Sequence, residues 1–220
     1  MNLNHVSQRA DVWRGGAPTA PQPNSIPSGF TALDPLLPEG GWPLGALTEI
    51  LTIHEGVGAL RLVTPALARL SDGDRWLAWI APPYIPYAPA LEAAGVDLSR
   101  VMLVHAQQQH DVLWAAEQAL RSGTSGAVMA WLPEKIDPKR LRRLQLAAEA
   151  GGSLGLIFRP HGAADQASPA ALRLLIEPAS EHTAVHILKR RGGWPTGPLA
   201  LHLDHAAPAS GGLSPEQLRQ

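Results

Sequence analysis

The chain has 220 residues, a formal net charge of -1 and no cysteine. This length suits one ordinary domain with its own core, and the lack of cysteine excludes disulfides, thiolate zinc sites and a cysteine nucleophile. The near-neutral charge gives no bulk attraction to nucleic acid. No stretch approaches the roughly 18 apolar residues of a membrane span, and no signal peptide is recognisable, so we expect a cytoplasmic protein without membrane contact.

The two ends of the chain are predicted to lie outside the core. Residues 4–13 can form a short helix that presents Val12 and Trp13, and the Gly- and Pro-rich stretch up to residue 26 is typical of a flexible linker. Such a short helix is not stable in water by itself, so Val12 and Trp13 are candidate partner-binding residues. Residues 206–220 are predicted to be a flexible tail, which leaves residues 27–205 as the core domain.

Within the core, apolar segments of strand length alternate with amphipathic segments of helix length. Strands are predicted at 46–51, 76–81, 101–104, 126–131 and 154–158, and helices at 59–70, 88–94, 109–123 and 138–150. Asp137 and Pro138 predict the start of the last helix, and Gly151 and Gly152 predict its end. The alternation favours an α/β fold with a mainly parallel sheet flanked by helices. Later segments at 171–177, 183–190 and 199–203 are expected to add strands at one edge of the sheet.

The turn after the first predicted core strand stands where a phosphate-binding loop would lie. Such a loop needs glycines, a lysine and a Ser or Thr hydroxyl, but Ile53 replaces the first glycine, Ala59 the lysine and Leu60 the hydroxyl. The strand at 126–131 offers no acidic residue to hold a metal ion. The sequence therefore predicts a degenerate loop without ATPase activity, formed by Ile53, Gly56, Gly58, Ala59 and Leu60. A weak, non-standard nucleotide site is the alternative.

Other enzyme chemistry has no support in the sequence. None of the nine histidines forms a ligand pair with the spacing of a metal site. No Gly-x-Ser-x-Gly elbow is present for a hydrolase nucleophile. We therefore predict no catalytic residue, no cofactor and no metal.

Several segments carry a family resemblance. Residues 26–34 read Ile-Pro-Ser-Gly-Phe-Thr-Ala-Leu-Asp, and residues 37–51 contain Leu-Pro-Glu-Gly-Gly-Trp-Pro before Gly-Ala-Leu-Thr-Glu-Ile-Leu. With further stretches at 94–97, 119–123 and 188–195, they resemble the opening of the RecA fold and, more narrowly, the ImuA family of bacterial RecA-like proteins. The resemblance implies a RecA-like fold. It also implies a non-catalytic accessory role in SOS-induced translesion DNA synthesis, with an ImuB-like inactive Y-family polymerase, RecA and an error-prone replicative-type polymerase as partners.

A second family offers an alternative function. SulA, a cell-division inhibitor that binds the tubulin-like FtsZ, is built on a similar nucleotide-free core. The alternative hypothesis is therefore a SulA-like inhibitor whose surface occupies the polymerising face of FtsZ. Retention of ImuB or RecA in a pull-down, or suppression of FtsZ assembly, would separate the two.

Two groups of cations are further candidates for partner binding. The first lies on one face of the helix at 138–150 and consists of Lys139, Arg140, Arg142 and Arg143. It could contact DNA phosphates or an acidic partner, or be the solvated side of a surface helix.

The second group lies between two late strands and consists of the cations Lys189, Arg190 and Arg191 together with Trp194. It suits a protein interface, single-stranded DNA or a hairpin turn with a packed Trp. DNA contact is expected to be weak or indirect, and self-association stays open.

Overall fold

The structure, a computed structural model, describes residues 24–203 except 55 and 57. Its helices are α1 (Ala59–Ser71), α2 (Ala88–Ala93), α3 (Gln109–Arg121) and α4 (Pro138–Gly151). Its strands are β1 (Ser25–Ile26), β2 (Trp42–Pro43), β3 (Ala46–Thr52), β4 (Trp76–Ile80), β5 (Val101–Val104), β6 (Ser125–Trp131), β7 (Leu154–Pro160), β8 (Leu172–Pro178), β9 (Thr183–Arg190) and β10 (Thr196–Leu201). Among these residues, no helix has both the length and the apolar character needed to cross a membrane.

Eight of the strands form one mixed sheet in the order β10-β9-β8-β3-β7-β6-β4-β5. The six strands from β8 to β5 are parallel to one another. The last two, β9 and β10, run antiparallel to the strands beside them. β1 and β2 form a separate antiparallel pair. The carboxyl ends of β3, β4, β6 and β7 therefore meet at one edge of the sheet.

Helices cover both faces of the parallel strands, because strands buried on both sides need an apolar layer on each. On one face α1 packs Leu62, Val63 and Leu67 into a core that also contains Leu91 of α2. On the other face α3 and α4 contribute a second core layer, with Val112, Leu113, Ala116, Leu120, Leu141 and Leu144. The sheet thus lies between two apolar layers.

The boundaries of α4 have identifiable local causes. The Asp137 side chain accepts a hydrogen bond from the Lys139 backbone N–H at 2.9 Å, and Pro138 occupies the first turn. Gly152, with a φ of 62°, follows the helix in the left-handed conformation that favours glycine. These residues set where α4 begins and ends.

A buried ion network joins three neighbouring strands. The Glu49 carboxylate on β3 accepts from Arg159 Nη1 of β7 at 2.7 Å and from Arg173 Nε of β8 at 2.6 Å. Glu49 and Arg159 side chains are fully buried, and that of Arg173 is 8% exposed. One carboxylate therefore compensates two guanidinium groups inside the protein.

The predicted strands and helices between residues 46 and 158 are confirmed, with ends shifted by one or two residues. The addition of late strands at one edge is also confirmed. The predicted fold class, a RecA-like mainly parallel sheet with a degenerate phosphate loop, is wrong. The sheet is mixed, because β9 and β10 return as antiparallel hairpins instead of crossing over through helices. The predicted helix at 4–13, Val12, Trp13 and the tail at 206–220 lie outside the described residues.

We expect Glu49→Gln to lower the free energy of unfolding by about 3 kcal/mol or more, because it leaves two buried cations without a compensating charge. Urea unfolding followed by circular dichroism measures the change. The matched control is Glu92→Gln on the exposed side of α2, which should alter stability by no more than about 0.5 kcal/mol. Equal, small effects of both substitutions would contradict a stabilising role for the network.

Candidate functional site

A cleft with a volume of about 580 Å³ opens at the edge where β3, β4, β6 and β7 end. Ligands of open α/β sheets bind at this edge, beyond the carboxyl ends of the strands. The loops that follow β3 and β4 provide two of its walls, and residues at the ends of β6 and β7 line it between them.

Three stacked aromatic rings line the cleft. Trp79 of β4 and Trp131 of β6 have ring centroids 6.0 Å apart, and Trp131 and Phe158 of β7 have centroids 4.7 Å apart. The rings of Trp131 and Phe158 are inclined by only 12°, because these residues are register partners on adjacent parallel strands. The Trp79 indole Nε1 is buried without a hydrogen-bond partner among the described residues. The cleft is therefore an aromatic, largely apolar surface.

The five residues that the sequence analysis singled out as a phosphate-loop position all line the cleft: Ile53, Gly56, Gly58, Ala59 and Leu60. Gly58 caps the N-terminus of α1 with a φ of 90°. The Leu203 side chain lies so close to Gly58 that a Cβ at this position would collide with its Cδ1 atom. The apolar Leu203 side chain thus lies against the N-terminus of α1. Ala59 and Leu60 pack on the core.

The loop after β4 presents apolar side chains to solvent beside the cleft. Ala81 begins it with a φ of 50°, and its backbone N–H donates to Val104 O of β5 at 2.8 Å. The side chains of Tyr84, Ile85 and Tyr87 are 72%, 78% and 73% exposed. Prolines at 82, 83 and 86 fix φ along this loop. The apolar side chains are therefore held outside the core by a stiff backbone.

The neighbouring strand β5 extends this exposed surface. Within the described residues it pairs only with β4, so it forms one edge of the sheet. Its Met102 and Leu103 side chains are more than a third exposed. An uncovered edge strand with apolar side chains is a surface suited to contact with another protein chain.

The first cation group lies on α4, on the opposite face of the sheet from α1. Its four members, Lys139, Arg140, Arg142 and Arg143, are all exposed. Arg143 Nη2 donates to Glu117 of α3 at 2.8 Å. Among the residues that the structure describes, the other three form no ion pair.

The second cation group lies at the far end of the sheet from the cleft. Lys189 Nζ donates to Ser168 O at 2.7 Å. Burial lowers the pKa of the Lys189 ammonium, and the positive charge of Arg173 lowers it further. Arg190 Nη1 donates to Leu36 O at 3.0 Å. These two cations are held by contacts within the chain, whereas Arg191 is exposed and Trp194 is 84% exposed. The structure therefore separates this group from both the cleft and α4.

Two exposed features were absent from the sequence-based predictions. The first is the group of Tyr84, Ile85 and Tyr87, and the second is Trp114 on α3. Helical periodicity could have found Trp114, because it falls on the side of α3 opposite to buried Ala116 and Leu120. The loop has no periodicity, and only its density of prolines and aromatic residues could have drawn attention to it.

The fold and this cleft define an α/β protein whose exposed surfaces are suited to protein contacts. The family model described as cell division inhibitor SulA matches residues 45–155. The cell division inhibitor SulA of Edwardsiella piscicida is 36% identical over 144 residues, which cover 66% of this chain and 73% of that protein. That of Pectobacterium atrosepticum is 32% identical over 123 residues, 56% of this chain and 73% of the relative.

A crystal structure of SulA from Pseudomonas aeruginosa is 32% identical, with a TM-score of 0.43 over 51% of this chain and 97% of that one. The family match covers half of the chain, from the start of β3 to the start of β7. The chain belongs to the SulA family. The family model and the relatives are described as cell division inhibitors, which is consistent with the prediction that the chain is not an enzyme.

Membership in this family corrects the resemblance to ImuA and the function drawn from it. The predicted role in translesion synthesis is wrong, as are the predicted partners: an ImuB-like polymerase, RecA and an error-prone polymerase. Much of the quoted resemblance, at residues 26–43 and 188–195, lies outside the matched segment.

Proposed function

We propose that this chain inhibits cell division by binding FtsZ and blocking its assembly through protein contact, without catalysis. The observation that carries the proposal is the exposed apolar loop at residues 82–87, beside the aromatic cleft and inside the segment shared with the SulA family. A soluble monomer gains nothing by exposing several large apolar side chains in one loop. Burying these apolar side chains in an interface with another protein lowers the free energy of the complex.

The chemistry of the loop supports this role. Tyrosine is enriched among residues that dominate binding energy at protein interfaces, and Tyr84 and Tyr87 flank Ile85. Three prolines restrict the loop before binding, so less conformational entropy is lost when a partner docks. The edge strand β5 offers backbone groups to the same partner. Together these features favour a stable, non-catalytic contact.

The hairpin that carries Trp194 is also exposed, but it differs from the loop at residues 82–87 in its position on the sheet and in its family match. Register partners Leu172 and Arg190 put the end of β9 beside the start of β8, so the hairpin lies at the amino edge of the parallel strands. Residues 191–195 also fall outside the matched segment 45–155. The family match therefore favours a contact outside the hairpin, which offers a control surface.

The same proposal includes the absence of a nucleotide site and a cytoplasmic location, where FtsZ assembles. Ala59 and Leu60 supply neither a cation for phosphate nor a hydroxyl for Mg²⁺. Leu203 against Gly58 restricts access to the backbone N–H groups at the N-terminus of α1, which otherwise attract phosphate. Inhibition should therefore need no ATP.

Sedimentation of FtsZ polymers with the full chain tests the main proposal. We expect suppression of the polymer pellet at a near-stoichiometric ratio of this chain to FtsZ. Ile85→Asp, which places a charge in the exposed apolar loop, should raise the concentration needed for half-inhibition by about tenfold or more. Because Ile85 is exposed, the substitution should leave the melting temperature unchanged.

Trp194→Asp, an equally exposed apolar residue changed to the same charge, is the matched control and should inhibit like the unaltered chain. FtsZ assembly that is unaffected by the unaltered chain would contradict the function. Inhibition lost in the Trp194 variant and kept in the Ile85 variant would contradict the location of the interface.

A thermal shift assay tests the absence of a nucleotide site. Millimolar ATP with Mg²⁺ should leave the melting temperature unchanged, since any ligand that binds the native state must raise it. An ATP-binding protein in the same assay is the control. A saturable rise with ATP would show that the loop at residues 53–60 still holds nucleotide.

A further inference from the structure

A groove runs between α3 and α4 on the face of the sheet away from α1. Its volume is about 490 Å³, and buried Leu113 and Leu144 form its floor. Trp114 stands on the α3 side, and Arg140 and Arg143 stand on the α4 side. All of its lining residues lie in the segment 110–144, which does not include the loop proposed to contact FtsZ.

Trp114 is 63% exposed, whereas Trp42 and Trp79 are buried, at 0% and 1%. A single exposed apolar residue is ordinary on a protein surface. The surroundings of Trp114 are not, because the guanidinium groups of Arg140 and Arg143 line the same groove.

The acidic residues of the groove are already engaged. His110 Nε2 lies 3.0 Å from the Asp111 carboxylate. The Glu117 carboxylate accepts from Arg121 at 3.0 Å and from Arg143 at 2.8 Å. Within the described part of the chain, Arg140 has no anionic partner, and neither has Lys139 or Arg142 beside it. Arg140 is therefore the groove cation that has no ion-pair partner among the described residues.

The placement of these cations is unfavourable for the helix that carries them. They lie in the first turns of α4, which has no acidic residue in its first turn, and the helix dipole disfavours positive charge there. Lys139 and Arg143 are four residues apart, and Arg140 and Arg143 three, so like charges are neighbours on the helix surface. A bound anion would relieve both effects.

We propose that the groove is a second binding site, which takes an acidic segment of a partner protein. Carboxylates of that segment pair with Arg140 and with the remaining donors of Arg143, and an apolar side chain packs on Trp114. Aspartate or glutamate next to a leucine or an aromatic residue is the chemistry that fits. The site is independent of the proposed contact with FtsZ.

Nucleic acid fits the groove less well. Single-stranded nucleic acid is bound by several aromatic rings along a positive track, whereas Trp114 is the one aromatic residue that lines this groove in the described chain. An acidic peptide can instead place its charge at Arg140 and its apolar side chain at Trp114.

Fluorescence anisotropy with the full chain tests this site. The probe is a short fluorescein-labelled peptide that alternates pairs of acidic residues with single leucines, and labelled oligothymidine is the comparison. We expect saturable binding of the peptide, weakened by added salt because exposed charges are screened. Arg140→Glu and Trp114→Ala should each raise the Kd by about tenfold or more.

The matched controls are Arg191→Glu and Trp194→Ala on the distant hairpin, which should bind the peptide like the unaltered chain. Circular dichroism of each variant confirms that it is folded. No saturable peptide binding, equal losses in the groove and hairpin variants, or tighter binding of oligothymidine than of the peptide would each overturn the proposal. The Arg140→Glu variant should still suppress FtsZ assembly.

Discussion

The Glu49 carboxylate compensates two buried guanidinium groups and holds β7, β3 and β8 together. Arg159 also donates to Pro133 O at 3.3 Å, to Glu134 O and to Gln166 Oε1 at 2.9 Å, which ties the loop after β6 to β7. Arg173 donates to Ala163 O and Ala164 O at 2.7 and 3.0 Å. Because Leu132 and Pro160 line the cleft next to these contacts, the network fixes one wall of the cleft as well as the centre of the sheet.

Burying such a network costs desolvation free energy, and removing one of its charges lowers the stability of the fold. The aromatic stack takes one ring from each of β4, β6 and β7, and Arg159 of the network directly follows Phe158 on β7. A rigid sheet edge then supports the loop whose side chains are proposed to contact FtsZ.

The sequence predicted the elements well where periodicity and capping agree, as in α4, where Asp137 and Gly152 set the ends. It did not predict the fold class, because alternation of strands and helices does not reveal that β9 and β10 pair as antiparallel hairpins. It also did not reveal the network around Glu49, whose partners lie 110 and 124 residues away. Contacts between such distant residues are properties of the folded chain.

The candidate site was predictable only in part. The turn after β3 was singled out from the sequence, and the structure puts Ile53, Gly56, Gly58, Ala59 and Leu60 in the lining of the cleft. The exposed residues of the loop at 82–87 and Trp114 needed the folded structure, since exposure depends on what the rest of the chain covers. The charged residues chosen from sequence fall into two separate surfaces, at α4 and at the β9–β10 hairpin.

Amide hydrogen exchange of the full chain, with and without FtsZ, tests the central claim most directly. The proposed contact predicts slower exchange at the backbone amides of Tyr84, Ile85 and Tyr87 and along the outer edge of β5. Exchange in the hairpin at residues 191–195 should be unchanged. Protection confined to that hairpin, or no protection anywhere at saturating FtsZ, would contradict the account.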